Sequence, residues 1–171
     1  MSASPDFPRK EVSKLEKAKT ILRVLRTNGF EAMIVGGAVR DRVLGRESKD
    51  YDIATNAEPS QVEKLFKKTI GVGKQFGVIL VIIGGDQFEV ATFRKDLEYR
   101  DGRRPVGVEF SNAREDVLRR DFTINGLFWH PETDELVDYV GGIPDMKQHL
   151  IRCIGNPLDR FEEDKLRVLR A

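Results

Sequence analysis

Residues 34–55 read IVGGAVRDRVLGRESKDYDIAT, and the fold turns on this stretch. It begins inside an apolar run, Phe30–Gly36, short enough to be a buried strand. Gly36 and Gly37 end the run, and Ala38–Leu44 has the pattern of a short helix. A second strand is expected over Asp50–Thr55. A strand repeats every two residues, so Asp50 and Asp52 leave the same face, roughly 7 Å apart along the backbone. Two carboxylates converging from one strand suit a pair of Mg²⁺ ions, which take hard oxygen ligands and share them with substrate phosphates. The glycines supply the complement, because backbone N–H groups at a glycine-rich helix start approach an anion closely. A lone D-x-D is common at solvated strand ends, and a lone Gly-Gly at turns. In this order and spacing, however, a phosphate cradle stands beside a carboxylate pair. That combination points to nucleotide chemistry.

The rest of the chain supplies further elements on both sides. Apolar Val12, Leu15, Ala18, Leu22 and Leu25 recur at helical spacing between Glu11 and Asn28, and Gly29 is a stop signal. Pro59 opens a helix through Lys67, capped by Ser60 or by the turn before it. Val78–Ile83 and Phe88–Phe93 read as a hairpin around Gly84, Gly85 and Asp86. A charged loop, Arg94–Val106, precedes the short strand Gly107–Phe110, and Asn112 caps a helix to about Arg119. Ile124–His130 and Leu136–Tyr139 form a second hairpin around the sequence PETD. Ile143–His149 is a short helix and Leu150–Ile154 a strand. Pro157 starts a last helix whose amphipathic pattern of Phe161, Leu166, Val168 and Leu169 is still running at Ala171. A fragment of a longer protein is therefore expected.

Composition narrows the function classes. At 171 residues the chain fits one domain, or one domain and the start of another. With 40% hydrophobic and 33% charged residues it can bury a core and stay soluble. The balance of 29 basic against 28 acidic residues rules out a globally basic nucleic-acid coat, so any polyanion must meet a local patch. No apolar run approaches the roughly 20 residues of a membrane span. The opening MSASPDFPRKEVSK has no apolar signal core, so a cytoplasmic protein is expected. A single cysteine, Cys153, excludes internal disulfides and multi-cysteine zinc sites. Its flanks, LIRCIG, read as a strand with a buried thiol. His130 and His149 lack ligand spacing and read as surface residues. The stretch Arg94–Arg104 holds five basic and three acidic residues and includes Tyr99 and Gly102, with Pro105 just beyond. It is either a solvated charged loop or a mobile loop that touches a nucleotide or RNA.

Four segments together resemble a known family. IVGGAVRDRVLG with DYDIAT resembles motif A of the class II tRNA nucleotidyltransferase and bacterial poly(A) polymerase family. LRRDFTINGLFW (118–129) resembles its motif B, YVGGIPDMKQHLIRCIG (139–155) its motif C, and RFEEDKLRVLRA (160–171) its motif D. The motifs occur in the family's order from about residue 30 to the end. The resemblance implies an α+β head like that of the DNA polymerase beta superfamily, with a small mixed sheet and flanking helices. It also implies boundaries: a disordered tail over 1–8, the catalytic head over 9–155, and over 156–171 the start of a helical neck, truncated in its first helix.

The resemblance further implies roles. Asp50 and Asp52 would hold Mg²⁺. Gly37 and Arg40 would bind the triphosphate, with Gly36 shaping the turn. Arg120 and Asp121 would contact the nucleotide, Asp121 near the ribose 2′-hydroxyl. Asp164 and Arg167 would read the base edge, steadied by Glu163, with Arg170 close to the phosphates or base. An Asp and an Arg three apart on a helix share one face and offer an acceptor and donors together. Read alone, EEDKLRVLR is a salt-bridged helix surface. Glu89, in FEVATFR, is either a third carboxylate or base beside Asp50's strand, or a charge at the sheet's edge. Arg94 has the same ambiguity.

The implied activity is template-independent nucleotidyl transfer to an RNA 3′ end with release of pyrophosphate, using ATP and CTP on tRNA. The loop RKDLEYRDGRRP (94–105) is similar to the flexible loop kept by enzymes that add the terminal A. GVGKQFGVILV (71–81) departs from the G-[RK]-[RK]-F-x-[LIV] pattern of poly(A) polymerases. A-only addition, poly(A) synthesis and a non-catalytic RNA-binding module are the alternatives. The sequence gives no oligomeric state.

Overall fold

The apolar run at Ala32–Val35 becomes strand β1, buried along its whole length. Its side chains feed two cores in alternation. Ala32 and Ile34 join one apolar cluster, Met33 and Val35 another on the opposite face. A strand covered on both faces reads as a continuous apolar run. The computed structural model describes residues 12–97 and 106–170. Around β1 it places β2 (Asp52–Thr55), β3 (Thr69–Gly73), β4 (Val78–Ile83), β5 (Asp86–Thr92), β8 (Leu127–His130) and β9 (Glu135–Asp138). The sheet order is β3-β4-β5-β2-β1-β8-β9, mixed because β2 and β5 run parallel while its other neighbours are antiparallel. A separate two-stranded ladder joins β6 (Arg94–Asp96) to β7 (Val108–Phe110).

Helix α1 (Lys14–Thr27) starts where Ser13 Oγ accepts from the Glu16 amide, and it buries Ala18, Ile21, Leu22 and Leu25 on one face of the sheet. Helices α2 (Gly37–Val43) and α3 (Pro59–Leu65) add Ala38, Val39 and Val62 to the same core. On the other face α4 (Ala113–Leu118) packs Ala113 and Val117 into the cluster with Met33, Phe93 and Phe128. Asn112 caps α4 as its sequence position suggests. Helices α5 (Gly142–Lys147) and α6 (Pro157–Glu163) complete the set. Among the described residues no helix is long and apolar enough to cross a membrane.

Both expected hairpins form, as β4–β5 and β8–β9. Several local expectations need correcting. Thr69–Gly73 is an edge strand that the sequence hides, because Gly71 and Gly73 interrupt its pattern. Of the two caps expected for α3, the turn before Pro59 supplies it rather than Ser60: Glu58 exchanges hydrogen bonds reciprocally with Gln61. Arg94–Asp96 is ladder rather than loop: charged side chains conceal its two-residue period, and Lys95 pairs with Glu109 across it at 3.2 Å. Tyr99, Gly102, Pro105 and the expected tail over 1–8 lie outside the described residues. Leu150–Ile154 is no strand. His149 takes φ +54°, and the chain beyond it makes a single bridge, Phe122 to Cys153, with Cys153 partly exposed. His130 is half-buried and contacts Arg26 Nη2 at 2.5 Å through Nδ1; burial and then the guanidinium charge depress its pKa.

Among the described glycines, Gly142 makes the tightest approach to another segment. A Cβ there would stand 2.2 Å from the Thr123 carbonyl oxygen and 2.8 Å from its carbon. Backbone pressed on backbone has no side chain to swing away. Gly142→Ala should therefore cost about 3 kcal/mol, read as a lower midpoint in urea denaturation. An unchanged midpoint would mean that this turn opens freely.

Candidate functional site

Strand register builds the site's centre. Val35 lies opposite Asp52 in the antiparallel β1–β2 pair. The chain leaves β1 directly after Val35, so the Gly36 turn falls beside Asp52. Gly36 takes φ +70°, a conformation a side chain rarely accepts. A Cβ there would point at Arg120 Nη1, 3.9 Å away, and Asp52 Oδ2, 4.0 Å away. On the other flank β5 runs parallel to β2 with Val90 opposite Ile53, which sets Glu89 next to Asp52. Since β5 lies between β4 and β2, Glu89 is on an interior strand rather than at the sheet's edge. Asp52 keeps solvent exposure, yet protein atoms crowd its carboxyl. Desolvation, then the Glu89 charge, raises its pKa; Asp50 adds to this, while Arg120 and Lys14 oppose it.

Asp50 departs from expectation. Strand β2 begins at Asp52, and Asp50 stands in the loop before it. Beyond Asp52 the neighbouring chain has already turned into α2, so Asp50 has no ladder to join. Its side chain is 81% exposed, and Lys14 Nζ, from the first turn of α1, meets Oδ1 at 2.5 Å. The two aspartates still share a cavity of about 340 Å³, together with Asp41 and Glu47. Among the described residues no three His, Cys, Asp or Glu side chains gather closely enough to hold a metal ion.

A larger cavity, about 420 Å³, adjoins this one and shares Gly37 with it. Six arginines line it against three aspartates. Arg40, from α2, donates through Nε and Nη2 to Asp41 and through Nη1 to Asn125 at 3.0 Å. Arg94 and Asp96 enter from β6, and Arg119, Arg120 and Asp121 from the turn after α4. Arg170 bridges Asp121 at 3.1 Å and Asp164 at 2.9 Å. Helix α2 has only seven residues, so the pull on an anion comes mainly from these guanidinium groups. An arginine-lined basin thus meets a carboxylate-lined basin at one glycine. A polyphosphate and its counter-cation require that division of charge.

Residues 32–152 match the Poly A polymerase head domain family. The chain belongs to that family. It is 49% identical over 156 residues to the CCA-adding enzyme of Bacillus licheniformis, an alignment covering 91% of this chain and 39% of the relative. It is 43% identical over 160 residues to the CCA-adding enzyme of Enterococcus faecalis, covering 93% of this chain and 39% of the relative. The chain thus spans about two fifths of the length of these curated relatives. The structure of Bacillus stearothermophilus CCA-adding enzyme in complex with CTP superimposes with a TM-score of 0.82 at 39% identity, covering 91% of this chain and 37% of that one. A tRNA nucleotidyltransferase complexed with a primer tRNA and an incoming ATP analog superimposes with a TM-score of 0.67 at 31% identity, covering 88% of this chain and 42% of that one. The α+β fold, a mixed sheet with flanking helices, is the head fold of CCA-adding enzymes.

This head domain gathers most of the residues its sequence singles out. Gly36, Gly37, Arg40, Arg120, Asp121, Asp164, Arg167 and Arg170 all line the larger cavity. Asp50 and Asp52 line the smaller one, and Glu89 reaches Asp52 through register alone. The route by which Asp164 and Arg167 arrive is not the expected one. The helix from Pro157 does not continue past Glu163, since Asp164 adopts φ −145° and ψ 100°, and Lys165–Arg170 forms a 3₁₀ segment. Asp164 Oδ1 accepts from the Leu166 amide at 3.0 Å. A short carboxylate bonded to its own backbone two residues on competes with the helix.

Sequence reasoning missed Asp96, Arg119 and Asn125 as cavity residues and left Arg94 undecided. It also missed Asp116, which binds Arg119 at 2.9 Å and Arg120 at 2.9 Å. The i+3 and i+4 spacing in AREDVLRR was the available signal.

Proposed function

We propose that the protein to which this head belongs adds CCA, or its terminal A, to tRNA 3′ ends from CTP and ATP. The observation that carries this reading is the junction at Gly37 between the arginine-lined and the carboxylate-lined cavity. The relatives at 43–49% identity, each a CCA-adding enzyme, support the choice of tRNA over other RNA. We place the protein in the cytoplasm on the same grounds, and read residues 156–171 as the beginning of the neck.

In this reading Arg40, Arg119 and Arg120 draw the triphosphate against the Gly36–Gly37 turn, where the missing side chains leave room for it. Asp121, Asp164, Arg167 and Arg170 face the ribose and base. Asp50 and Asp52 would hold Mg²⁺, with phosphate oxygens and water completing the shell. The donor set fits: Asp50 and Asp52 open onto one cavity with Asp41 and Glu47, and Lys14 already sets a cation against Asp50. The chemistry supplied by bound Mg²⁺ is activation of the attacking 3′-hydroxyl and neutralisation of the leaving pyrophosphate. The chain itself supplies position and fixed charge. In the same reading Glu89, beside Asp52, would serve as a third carboxylate or accept the hydroxyl proton.

The deciding experiment incubates the full-length protein with tRNA lacking its 3′ end and each labelled nucleotide. Addition of C, C and A in order supports the proposal. A alone would identify an A-adding enzyme, a long homopolymer of A a poly(A) polymerase, and no product a binding module. A second expectation concerns residues 98–105. The ladder closes at Leu97 and Gly107, whose backbones bond at 2.9 Å. Replacing 98–105 with a short glycine linker should leave C addition largely intact and abolish the terminal A. Equal loss of both steps would make the segment structural, and loss of neither an ordinary solvated face.

A further inference from the structure

Asp116 is the most deeply placed charge near the cavity. Its side chain is 2% exposed, on the inward face of α4. A carboxylate taken out of water is tolerated only where donors replace the lost solvent. Here both oxygens are fully engaged. Oδ1 accepts from Arg119 Nε at 2.9 Å and from the Arg94 backbone amide at 3.1 Å. Oδ2 accepts from Arg120 Nε at 3.2 Å and Nη2 at 2.9 Å. Burial raises its pKa, but the charges of Arg120 and Arg119, the Arg94 amide and the Arg120 hydrogen bond together bring it below the usual carboxylate range.

The consequence lies in what these bonds leave free. With Nε and Nη2 committed to Asp116, Arg120 keeps Nη1, the nitrogen nearest the Gly36 turn and Asp52. Phe128 stacks against the same guanidinium at 5.5 Å, which limits its rotation. Arg119 is fixed from the other oxygen, and the Arg94 amide ties the first residue of β6 to the same group. Arg94, Arg119 and Arg120 reach the cavity from two segments of the chain, and one buried carboxylate sets their relative positions.

We infer that Asp116 is a positioning residue for the triphosphate: it never touches the nucleotide but aims Arg119 and Arg120 at the phosphates and holds the root of β6 against them. This rests on the nucleotide reading of the cavity. The role is specific to a carboxylate. An asparagine in its place would offer one acceptor and turn an NH₂ group toward an N–H donor, leaving an arginine charge without its partner. Arginines pre-aimed by such a fork lose little entropy when the ligand arrives.

The test measures ATP and CTP binding calorimetrically to the full-length protein without RNA, for wild type, Asp116→Asn, Arg120→Met and the double variant. Asp116→Asn should weaken both nucleotides equally, by roughly tenfold, and in a separate assay of nucleotide addition to tRNA it should raise KM more than it lowers kcat. Equal loss is expected because the arginines it aims act on phosphates and not on the base. The double variant should lose clearly less than the product of the two single losses, since part of what Asp116→Asn loses acts through the residue that Arg120→Met removes. Losses that multiply to roughly a hundredfold would overturn the proposal, as would Asp116→Asn binding within about twofold of wild type. Wild type that binds neither nucleotide would overturn the reading of the cavity itself. A measurement on wild type alone guards against misfolding of the variant. The Arg120 Nε–H resonance should exchange slowly with solvent, with and without nucleotide, and fast exchange would overturn the proposal.

Discussion

In the full-length protein, Asp52→Ala should cut nucleotide addition by about a thousandfold or more, a loss of roughly 4 kcal/mol of transition-state stabilisation. Folding should survive it. No side chain among the described residues donates a hydrogen bond to Asp52, and its neighbours Glu89 and Asp50 repel it, so the ionised carboxylate is a burden on the free fold. The sign follows from the direction of the shift. A carboxyl whose pKa rises on folding binds its proton more tightly when folded, so its charge at neutral pH opposes folding. The melting temperature of the nucleotide-free variant should therefore stay level or rise while turnover collapses. Asp50→Ala should lose activity as well, but it also releases Lys14 from its ion pair. If either variant keeps more than about a tenth of wild-type turnover, a barrier change below roughly 1.4 kcal/mol, the carboxylate pair is not the reaction centre.

Sequence and structure part company where neighbours are remote in the chain. The run through β1, the glycine turn and Asp52 was legible because each signal is local: an apolar strand, two glycines, a carboxylate on the next strand. The two hairpins were legible for the same reason. Asp50 was misread because its backbone depends on a partner strand that has already turned away, and no local pattern records that. The break at Asp164 was hidden by good helix formers on both sides, while the bond from its carboxylate to the Leu166 amide decided the local geometry. β6 was taken for loop because its residues are charged, although its pairing with β7 is made by backbone. The cavity's charge was only partly legible. Arg40, Arg120, Asp121, Asp164, Arg167 and Arg170 were found through their motifs, while Arg119 and Asn125 sit within motif B without having been chosen. Asp116 precedes that motif by two residues, and only burial reveals that it organises the arginines behind it.

Arg167→Ala should produce the largest combined loss of stability and selectivity. The motif alone makes Arg167 a base-reading group, but the structure gives it a second task. Its side chain is 5% exposed. Nη1 donates to the Arg160 carbonyl at 2.7 Å and to Glu163 at 2.8 Å, and Nη2 to the Arg119 carbonyl at 3.3 Å. It therefore stitches the 3₁₀ segment to α6 and to the turn that carries Arg119 and Arg120, while also forming part of the cavity wall. Alanine would strand the Arg119 carbonyl, leave that of Arg160 with the Asp164 amide alone, cost Glu163 a donor and open a void, together about 3 kcal/mol. Arg167→Lys should recover little, because one ammonium cannot present a planar fork to acceptors on three sides. Asp164→Ala provides the contrast. It gives up the Leu166 amide and one of two partners of Arg170, which Asp121 still holds, so about 1 kcal/mol is expected. Both alanine variants should relax the preference for CTP and ATP over UTP and GTP, because a polar site discriminates by leaving its groups unpaired with the wrong base. Only Arg167→Ala should also lower the urea midpoint sharply and disturb triphosphate affinity through Arg119. Urea melts paired with four-nucleotide competition assays separate the two roles. Unchanged preference in both variants would remove base reading from this segment, and an unchanged midpoint in Arg167→Ala would remove the stitch.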